Sequence, residues 1–428
     1  MSGADGGGAA PSEAARQSAA EIAEQERALQ SDPGNIEAHA ALARLFEARH
    51  ELARAKQHGQ IALAGDAQNP TARMALGRVL LREGDFAGAE ATITPLLDSP
   101  RADRHVRGNA WGVIGDARDR RDEIDGAFAA YTESNRLFIE QYGSGADGFS
   151  PVHPAAVRQM TRFAEDLDAS RWGPPQGERA APVFLIGFPR SGTTLLDMIL
   201  SSHSRVACVE EKEYFFISLA DALKSGASLE RIGALTETET ALVRKGYWRR
   251  LAEAGVEADL VIDKMPLNTA LLPIIRIIFP DAKILFALRD PRDVVLSCFQ
   301  QRFYLNAAMK QFLRLETAAA LYDAIMTLYV ASKARLGLDL QEVRYEDVVG
   351  DAEGEVRKLC LFLGLAFEPA MLRHEIRARA RDVATPSARQ VAEPIYTRSV
   401  GRWRRYARHM APVRPSLDLW AREFGYAV

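Results

Sequence analysis

Cysteine is scarce in this 428-residue chain: Cys208, Cys298 and Cys360 are far apart and form no C-x-x-C pair. An odd, dispersed set excludes a disulfide framework as the organising force and fits a reducing compartment. Excess charge is missing too, since 54 Lys and Arg face 57 Asp and Glu for a formal charge of −3. That balance excludes a general polyanion binder, so any nucleotide site must be a local patch. Long apolar runs are also lacking. The most apolar stretch, Leu271 to Leu288, is interrupted by Arg276, Pro280, Asp281 and Lys283, short of the roughly 20 apolar residues that a spanning helix needs. Nothing is expected to span a membrane. The start, Met1-Ser-Gly-Ala-Asp-Gly-Gly-Gly, has neither a basic n-region nor an apolar h-region and reads as a flexible tail over 1–20. With no His/Cys cluster or spare acidic pair at ligand spacing, no metal is expected. These absences together predict a soluble, cytoplasmic protein.

What is present begins with a repeat. Asn35-Ile-Glu-Ala-His-Ala-Ala-Leu-Ala-Arg lies over Asn69-Pro-Thr-Ala-Arg-Met-Ala-Leu-Gly-Arg at an offset of 34 residues, with Leu42/Leu76, Arg44/Arg78 and Ala55/Ala89 in register. This is the period of the tetratricopeptide (TPR) repeat, a helix pair that needs stacked neighbours to bury its apolar face. A third, looser copy keeps the Gly-to-Ala separation at Gly115 and Ala127 but lies 38 residues further on. That shift predicts a four-residue insertion around Ser99 to Arg104. An all-α repeat domain is expected over 21–142. A linker with a short helix follows over 143–181, bounded by Gly143-Ser-Gly-Ala-Asp-Gly148 and Trp172-Gly-Pro-Pro.

From Pro182 onward, strand candidates at Val183 to Gly187, Val206 to Cys208, Leu260 to Asp263, Lys283 to Leu288 and Gln341 to Tyr345 alternate with helical segments. Such alternation predicts an α/β domain over 182–428, a parallel sheet covered on both faces with ligands at the carboxyl ends of its strands. The first strand runs into Gly187-Phe-Pro-Arg190-Ser191-Gly192-Thr193-Thr194 and then an apolar helix. A glycine-containing loop opening a helix is how backbone N–H groups cradle phosphate oxygens. The spacing is P-loop-like, yet Thr193 stands where a nucleoside triphosphatase carries Lys. Without that Lys for the β- and γ-phosphates, a kinase or ATPase is disfavoured and another anionic cofactor is implied.

Arg190-Ser-Gly-Thr-Thr resembles the phosphosulfate loop of the sulfotransferases, which use 3′-phosphoadenosine 5′-phosphosulfate (PAPS) as sulfuryl donor and release adenosine 3′,5′-bisphosphate. A second signature, Arg289-Asp-Pro-Arg292-Asp-Val-Val-Leu-Ser297, puts a guanidinium at a strand end and a hydroxyl two helical turns on. Together they suit a phosphate monoester. The pair resembles the family's 3′-phosphate site. Among sulfotransferases the tyrosylprotein branch is most similar. Its phosphosulfate-loop helix is followed by a Glu-Glu pair, here Glu210-Glu211, and the resemblance makes Glu211 the catalytic base. His203, a base candidate by analogy with other sulfotransferases, is expected to be a surface or capping residue instead. Val261-Ile-Asp263-Lys264-Met-Pro matches the family's strand ending in a catalytic Lys, so Lys264 is expected to stabilise the leaving group.

The resemblance also assigns nucleotide contact to Tyr345, and to Ser387 and Arg402 closing over the donor, with Ser387 counted among the catalytic residues. Two departures stand out. The family's second 3′-phosphate Arg is replaced by Gln301, with Arg302 next door and about 100° away on a helix. After the Glu pair this chain reads Lys212-Glu213-Tyr214, where the tyrosylprotein branch carries basic residues that read acidic peptides. The resemblance thus implies sulfuryl transfer from PAPS to a hydroxyl, a tyrosyl peptide or protein being favoured, recruited by the repeat domain and with no nucleic acid as partner. A small-molecule or carbohydrate hydroxyl acceptor, or a TPR scaffold with an inactive transferase domain, are the alternatives.

Overall fold

The computed structural model describes residues 13–143, 152–175, 179–224, 228–376 and 395–428. The chain divides into two compact units, Met1–Ser144 and Gly145–Val428.

The first unit is all-α. After α1 (Glu13–Ser31) come three helix pairs: α2 (Ile36–Ala48) with α3 (Leu52–Gly65), α4 (Pro70–Glu83) with α5 (Phe86–Ile93), and α6 (Arg104–Arg120) with α7 (Ile124–Tyr142). Each first helix starts from a side-chain cap. Asn35 accepts from the Ala38 amide at 3.0 Å, Asn69 from Ala72 at 3.0 Å and Asp103 from Val106 at 2.8 Å. Such caps satisfy amides that the helix itself leaves unpaired. The caps recur every 34 positions in all three pairs. The insertion expected around Ser99 to Arg104 therefore lies inside the third pair. Its first helix has 17 residues against 14 in α4, so the extra residues add one turn and keep the buried face in place. Ala55, Ala89 and Ala127 are fully buried where paired helices meet. A Cβ on Gly115 would come within 2.7 Å of the Tyr131 ring, so that pair closes only over glycine.

The second unit is built on a five-stranded parallel sheet in the order β2-β3-β1-β4-β5. The strands are β1 (Val183–Gly187), β2 (Val206–Glu210), β3 (Leu260–Lys264), β4 (Lys283–Leu288) and β5 (Asp339–Arg344). The inner strands are near-continuous apolar runs, as expected when both faces are covered. One face packs Val183, Leu185, Ile262 and Leu285 against Leu196, Leu200, Val356 and Leu359. On the other, Phe184 meets Phe215 and Phe279, each with ring centroids 5.8 Å away, and Phe286 stacks on Tyr329. The helix α8 (Pro154–Asp166) belongs to this unit and lies along the long helix Leu315–Arg335. From β1 the chain moves to the β2 edge, and from β3 it crosses β1 to reach β4. Connections diverging on either side of β1 open a crevice at the carboxyl ends of β1, β3 and β4. β2 and β3 run to Glu210 and Lys264, further than the sequence pattern indicated, and that extension carries both residues into the crevice. Among the described residues no helix is long and apolar enough to cross a membrane.

Candidate functional site

The first wall is the loop after β1. Three successive turns require left-handed backbone, at Gly187 (φ 154°), Arg190 (φ 72°) and Gly192 (φ 100°). Gly187 is needed because a Cβ there would meet the Ala287 carbonyl at 2.7 Å. A Cβ on Gly192 would meet the Tyr345 ring at 2.9 Å, so glycine lets that ring close on the loop. Arg190 is not glycine and holds a conformation costing about 1 kcal/mol. Strain of this kind is retained where neighbours or a ligand over-determine the position. Ser191 folds back onto the Phe188 carbonyl at 2.6 Å. Thr193 and Thr194 are buried in the first turn of α9 (Thr193–Leu200), whose cap residue Gly192 has no side chain to satisfy the opening amides. Those amides and the helix dipole favour an anion.

Opposite stands a cluster of cations. Arg190 Nε donates to Ser297 Oγ at 3.0 Å. Arg289, at the end of β4, donates through Nη1 to the Arg190 carbonyl at 2.9 Å and through Nη2 to the Ser399 carbonyl at 2.6 Å. Its guanidinium lies 4.8 Å from the Tyr345 ring centre. Arg289 Nε is buried with no hydrogen-bond partner, and Arg289 makes no ion pair among the described residues. Burial pulls the Arg190 guanidinium down to about 10, and the like charges of Arg289 and Arg402 push the same way, against the opposing Cys298. It stays protonated at neutral pH. Cys298 itself, buried behind the cluster, has its thiol raised by desolvation and is inert packing.

Arg292 shows the contrast within the same motif. It is fully buried, chelated by Asp290 at 2.7 and 2.9 Å, paired with Asp418 at 3.1 Å and laid on the Trp403 ring. It ties the helix Pro291–Gln300 to the last helix, Arg414–Glu423, and has no donor role to spare. Asp293, which sequence reasoning passed over, accepts from the Gly401 amide at 2.6 Å and the Trp403 amide at 2.7 Å. Those bonds fix Arg402 between them. Burial raises the Asp293 carboxyl to about 6, although Arg289 pulls it down. Its signal in the sequence was the spacing of four before Ser297, one helical face.

The third wall is the β2–β3 end. Glu210 pairs with Lys264 in the sheet register, and the Glu211 amide adds one more bond to the Lys264 carbonyl at 2.8 Å. Glu211 then turns left-handed at φ 47°, which brings its carboxylate back toward the sheet. Lys264 Nζ sits 2.9 Å from Glu211 Oε1 and 3.4 Å from Glu210 Oε1. The Lys264 side chain is 0 % exposed, Glu210 8 % and Glu211 37 %. Asp263 is not part of this wall: successive strand residues point to opposite faces, and its Oδ2 instead accepts from Tyr247 OH at 2.9 Å. Burial raises Asp263 to about 7. His203, expected at the surface or as a cap, is buried. Its Nδ1 accepts from the Arg205 amide at 3.1 Å, so Nε2–H donates to the Ala366 carbonyl at 2.9 Å. It is a pin between segments.

The structure therefore gathers Arg190, Ser191, Gly192, Thr193, Thr194, Arg289, Ser297, Tyr345 and Arg402 around one loop, and Glu211 with Lys264 at the next strand end. Ser387 lies outside the described residues. The helix carrying Ser297 ends at Gln300, with Gln301 extended at ψ 131°, so the helical angle expected for Arg302 does not apply. Gln301 Nε2 instead donates to the Arg302 carbonyl at 3.3 Å.

Residues 182–369 match the sulfotransferase family. A protein of Aquifex aeolicus with no assigned function is 27 % identical over 337 residues, covering 74 % of this chain and 42 % of its own length. Protein-tyrosine sulfotransferase A of Caenorhabditis elegans is 24 % identical over 285 residues, 64 % of this chain and 71 % of the relative. The human protein-tyrosine sulfotransferase 1 is 25 % identical over 264 residues, 59 % and 71 %. This chain thus spans less than half of the Aquifex protein and about seven-tenths of the other two. Among solved structures, the sulfotransferase domain of the Synechococcus PCC 7002 olefin synthase aligns with a TM-score of 0.43 at 22 % identity, over 60 % of this chain and 99 % of that one.

Proposed function

We propose that the carboxyl-terminal unit transfers a sulfuryl group from PAPS to a hydroxyl, with a tyrosyl peptide or protein as the favoured acceptor. The observation that carries this is the cation cluster: Arg289 and Arg402 lie close enough to depress the protonation of Arg190, beside Ser297 and an uncapped helix start. The unpartnered Arg289 Nε fits a phosphate-bearing ligand, because a buried guanidinium N–H left unpaired is costly. The donor supplies an activated sulfuryl group. The loop amides and Arg190 hold it in line, and Arg289 with Ser297 anchors its 3′-phosphate. Positioning and charge neutralisation account for most of the acceleration in such loose, in-line transfers.

Glu211 is the base. Both Glu210 and Glu211 reach Lys264, but only Glu211 is open enough to meet an acceptor hydroxyl. The carboxylate takes the hydroxyl proton as the oxygen attacks. Lys264, already desolvated, offsets charge growing on the leaving oxygen. The tyrosyl acceptor is favoured by the two relatives named as protein-tyrosine sulfotransferases. The amino-terminal unit, read as TPR pairs from its 34-residue caps, recruits that acceptor on its helical surface. Incubating the protein with labelled PAPS and either a tyrosyl peptide or a small phenol tests this reading. Label on the peptide with a far lower KM is expected; equal use of the phenol would remove the peptide assignment, and no transfer to any hydroxyl would remove the activity.

A further inference from the structure

On the Pro291–Gln300 helix that carries Ser297, three residues fall on one stripe. Asp293, Ser297 and Gln300 are spaced by four and three, within about 60° of one another around the axis. Asp293 holds the Gly401–Trp403 backbone, and Ser297 meets Arg190. Gln300 is the member with no task. It is 7 % exposed, and neither its Oε1 nor its Nε2 has a hydrogen-bond partner. A wholly unsatisfied buried amide is rare in a folded protein and calls for a reason. Arg289 Nε, at the strand end leading into the same helix, shares this condition.

The chemistry of the side chain narrows what satisfies it. An arginine offers donors alone, whereas a carboxamide offers two N–H donors and a carbonyl acceptor. A bare phosphate would pair with the N–H groups and leave Oε1 unsatisfied. A ribose 3′-phosphate satisfies both, since the neighbouring 2′-hydroxyl is a donor. Gln300 lies about 4.5 Å along the axis beyond Ser297, and it is the last residue of the helix before Gln301 leaves the helical path.

We infer that Gln300 is a nucleotide-contacting residue, donating to the 3′-phosphate and accepting from the ribose 2′-hydroxyl. This rests on the reading under Proposed function. Isothermal titration of the full chain with adenosine 3′,5′-bisphosphate, its 2′-deoxy analogue and AMP tests it, in the wild type and in Gln300→Met, which keeps the shape and removes the polar atoms.

The bisphosphate is expected to bind Gln300→Met about tenfold more weakly than wild type, the scale of one hydrogen bond to a charged group. AMP, which keeps the 2′-hydroxyl but lacks the 3′-phosphate, should lose less affinity than the bisphosphate. In the wild type the 2′-deoxy analogue should bind more weakly than the bisphosphate, and that penalty should vanish in the variant. Unchanged bisphosphate affinity in the variant, a deoxy penalty that persists, or equal loss toward AMP would each overturn the inference and leave the proposed function standing. Wild-type protein that does not prefer the bisphosphate to AMP would overturn the proposed function itself. Should the variant fail to fold, the wild-type comparison decides alone, and equal binding of the bisphosphate and its deoxy analogue overturns the inference.

Discussion

In the amino-terminal unit Arg118 and Arg121 both close on Glu90, whereas in the carboxyl-terminal unit Arg289 donates only to backbone carbonyls and keeps a buried Nε unpartnered. Burial alone would raise Glu90, but hydrogen bonds from Arg118 and Arg121 outweigh it and hold the carboxyl below the usual range. Positive charge in the first unit is thus consumed in joining helix pairs. At the strand ends of the second it is concentrated, with Arg289 and Arg402 both lowering Arg190. The same side chain serves architecture where a carboxylate faces it; where other arginines face it, it is the ligand contact proposed above. Arg292 repeats the lesson three residues from Arg289: two carboxylates claim it, and it belongs to the frame.

That comparison breaks most sharply at the site. Arg289→Ala should weaken adenosine 3′,5′-bisphosphate by about 100-fold or more, the upper range for a desolvated charged contact. The ligand-free protein should lose comparatively little melting temperature, because Arg289 makes no ion pair among the described residues and only two backbone carbonyls and the more distant Asp293 lose its charge. A fall in melting temperature with unchanged affinity would make Arg289 architectural, like Arg292. Next in size, Glu211→Gln should lower kcat by about 100-fold, the usual scale for a lost proton acceptor, while bisphosphate affinity stays. Glu210→Gln should do much less; the reverse order would move the base one residue back.

The same test applied to the first unit should read out in stability. Glu90→Ala leaves two arginines facing each other and should cost about 1–2 kcal/mol in denaturant unfolding. Bisphosphate affinity should not change, and a loss of affinity would couple the two units in a way this division does not allow.

The smallest effect concerns Asp263, whose carboxyl is raised by burial to about 7, above the 3.8 of a free carboxyl. Between those values the folded state holds a proton that the unfolded chain has released, so the wild type loses stability as pH rises from about 4 to about 7. Asp263→Asn keeps an acceptor for Tyr247 and has nothing to titrate. Its melting temperature relative to wild type should therefore climb over that window and level off above it. A gap that does not change with pH would show the carboxyl to be solvated.

Where the sequence was readable, the reason was local. Arg190 to Thr194 and the Lys264 strand end carry their chemistry in consecutive residues, and the 34-residue caps at Asn35 and Asn69 announce helix pairs directly. The parallel sheet followed from apolar runs alternating with helical segments. What escaped depends on contacts between distant positions. Asp293 acts by holding Gly401 and Trp403, more than a hundred residues on. His203 is buried because Ala366 comes to it. The added turn of the third pair was hidden because matching Gly77 to Gly115 aligns helix middles, while the Asp103 cap marks the start. Gln300 carries no motif; only the absence of a partner in three dimensions singles it out.

Thermal unfolding of the full chain with adenosine 3′,5′-bisphosphate, ATP or AMP at equal concentration tests the central claim most directly, since a ligand that binds only the folded state raises the melting temperature in proportion to its affinity. The cation cluster around Ser297 predicts a large rise with the bisphosphate and a far smaller one with ATP or AMP. Equal shifts for ATP and the bisphosphate, or none with any of the three, would contradict it.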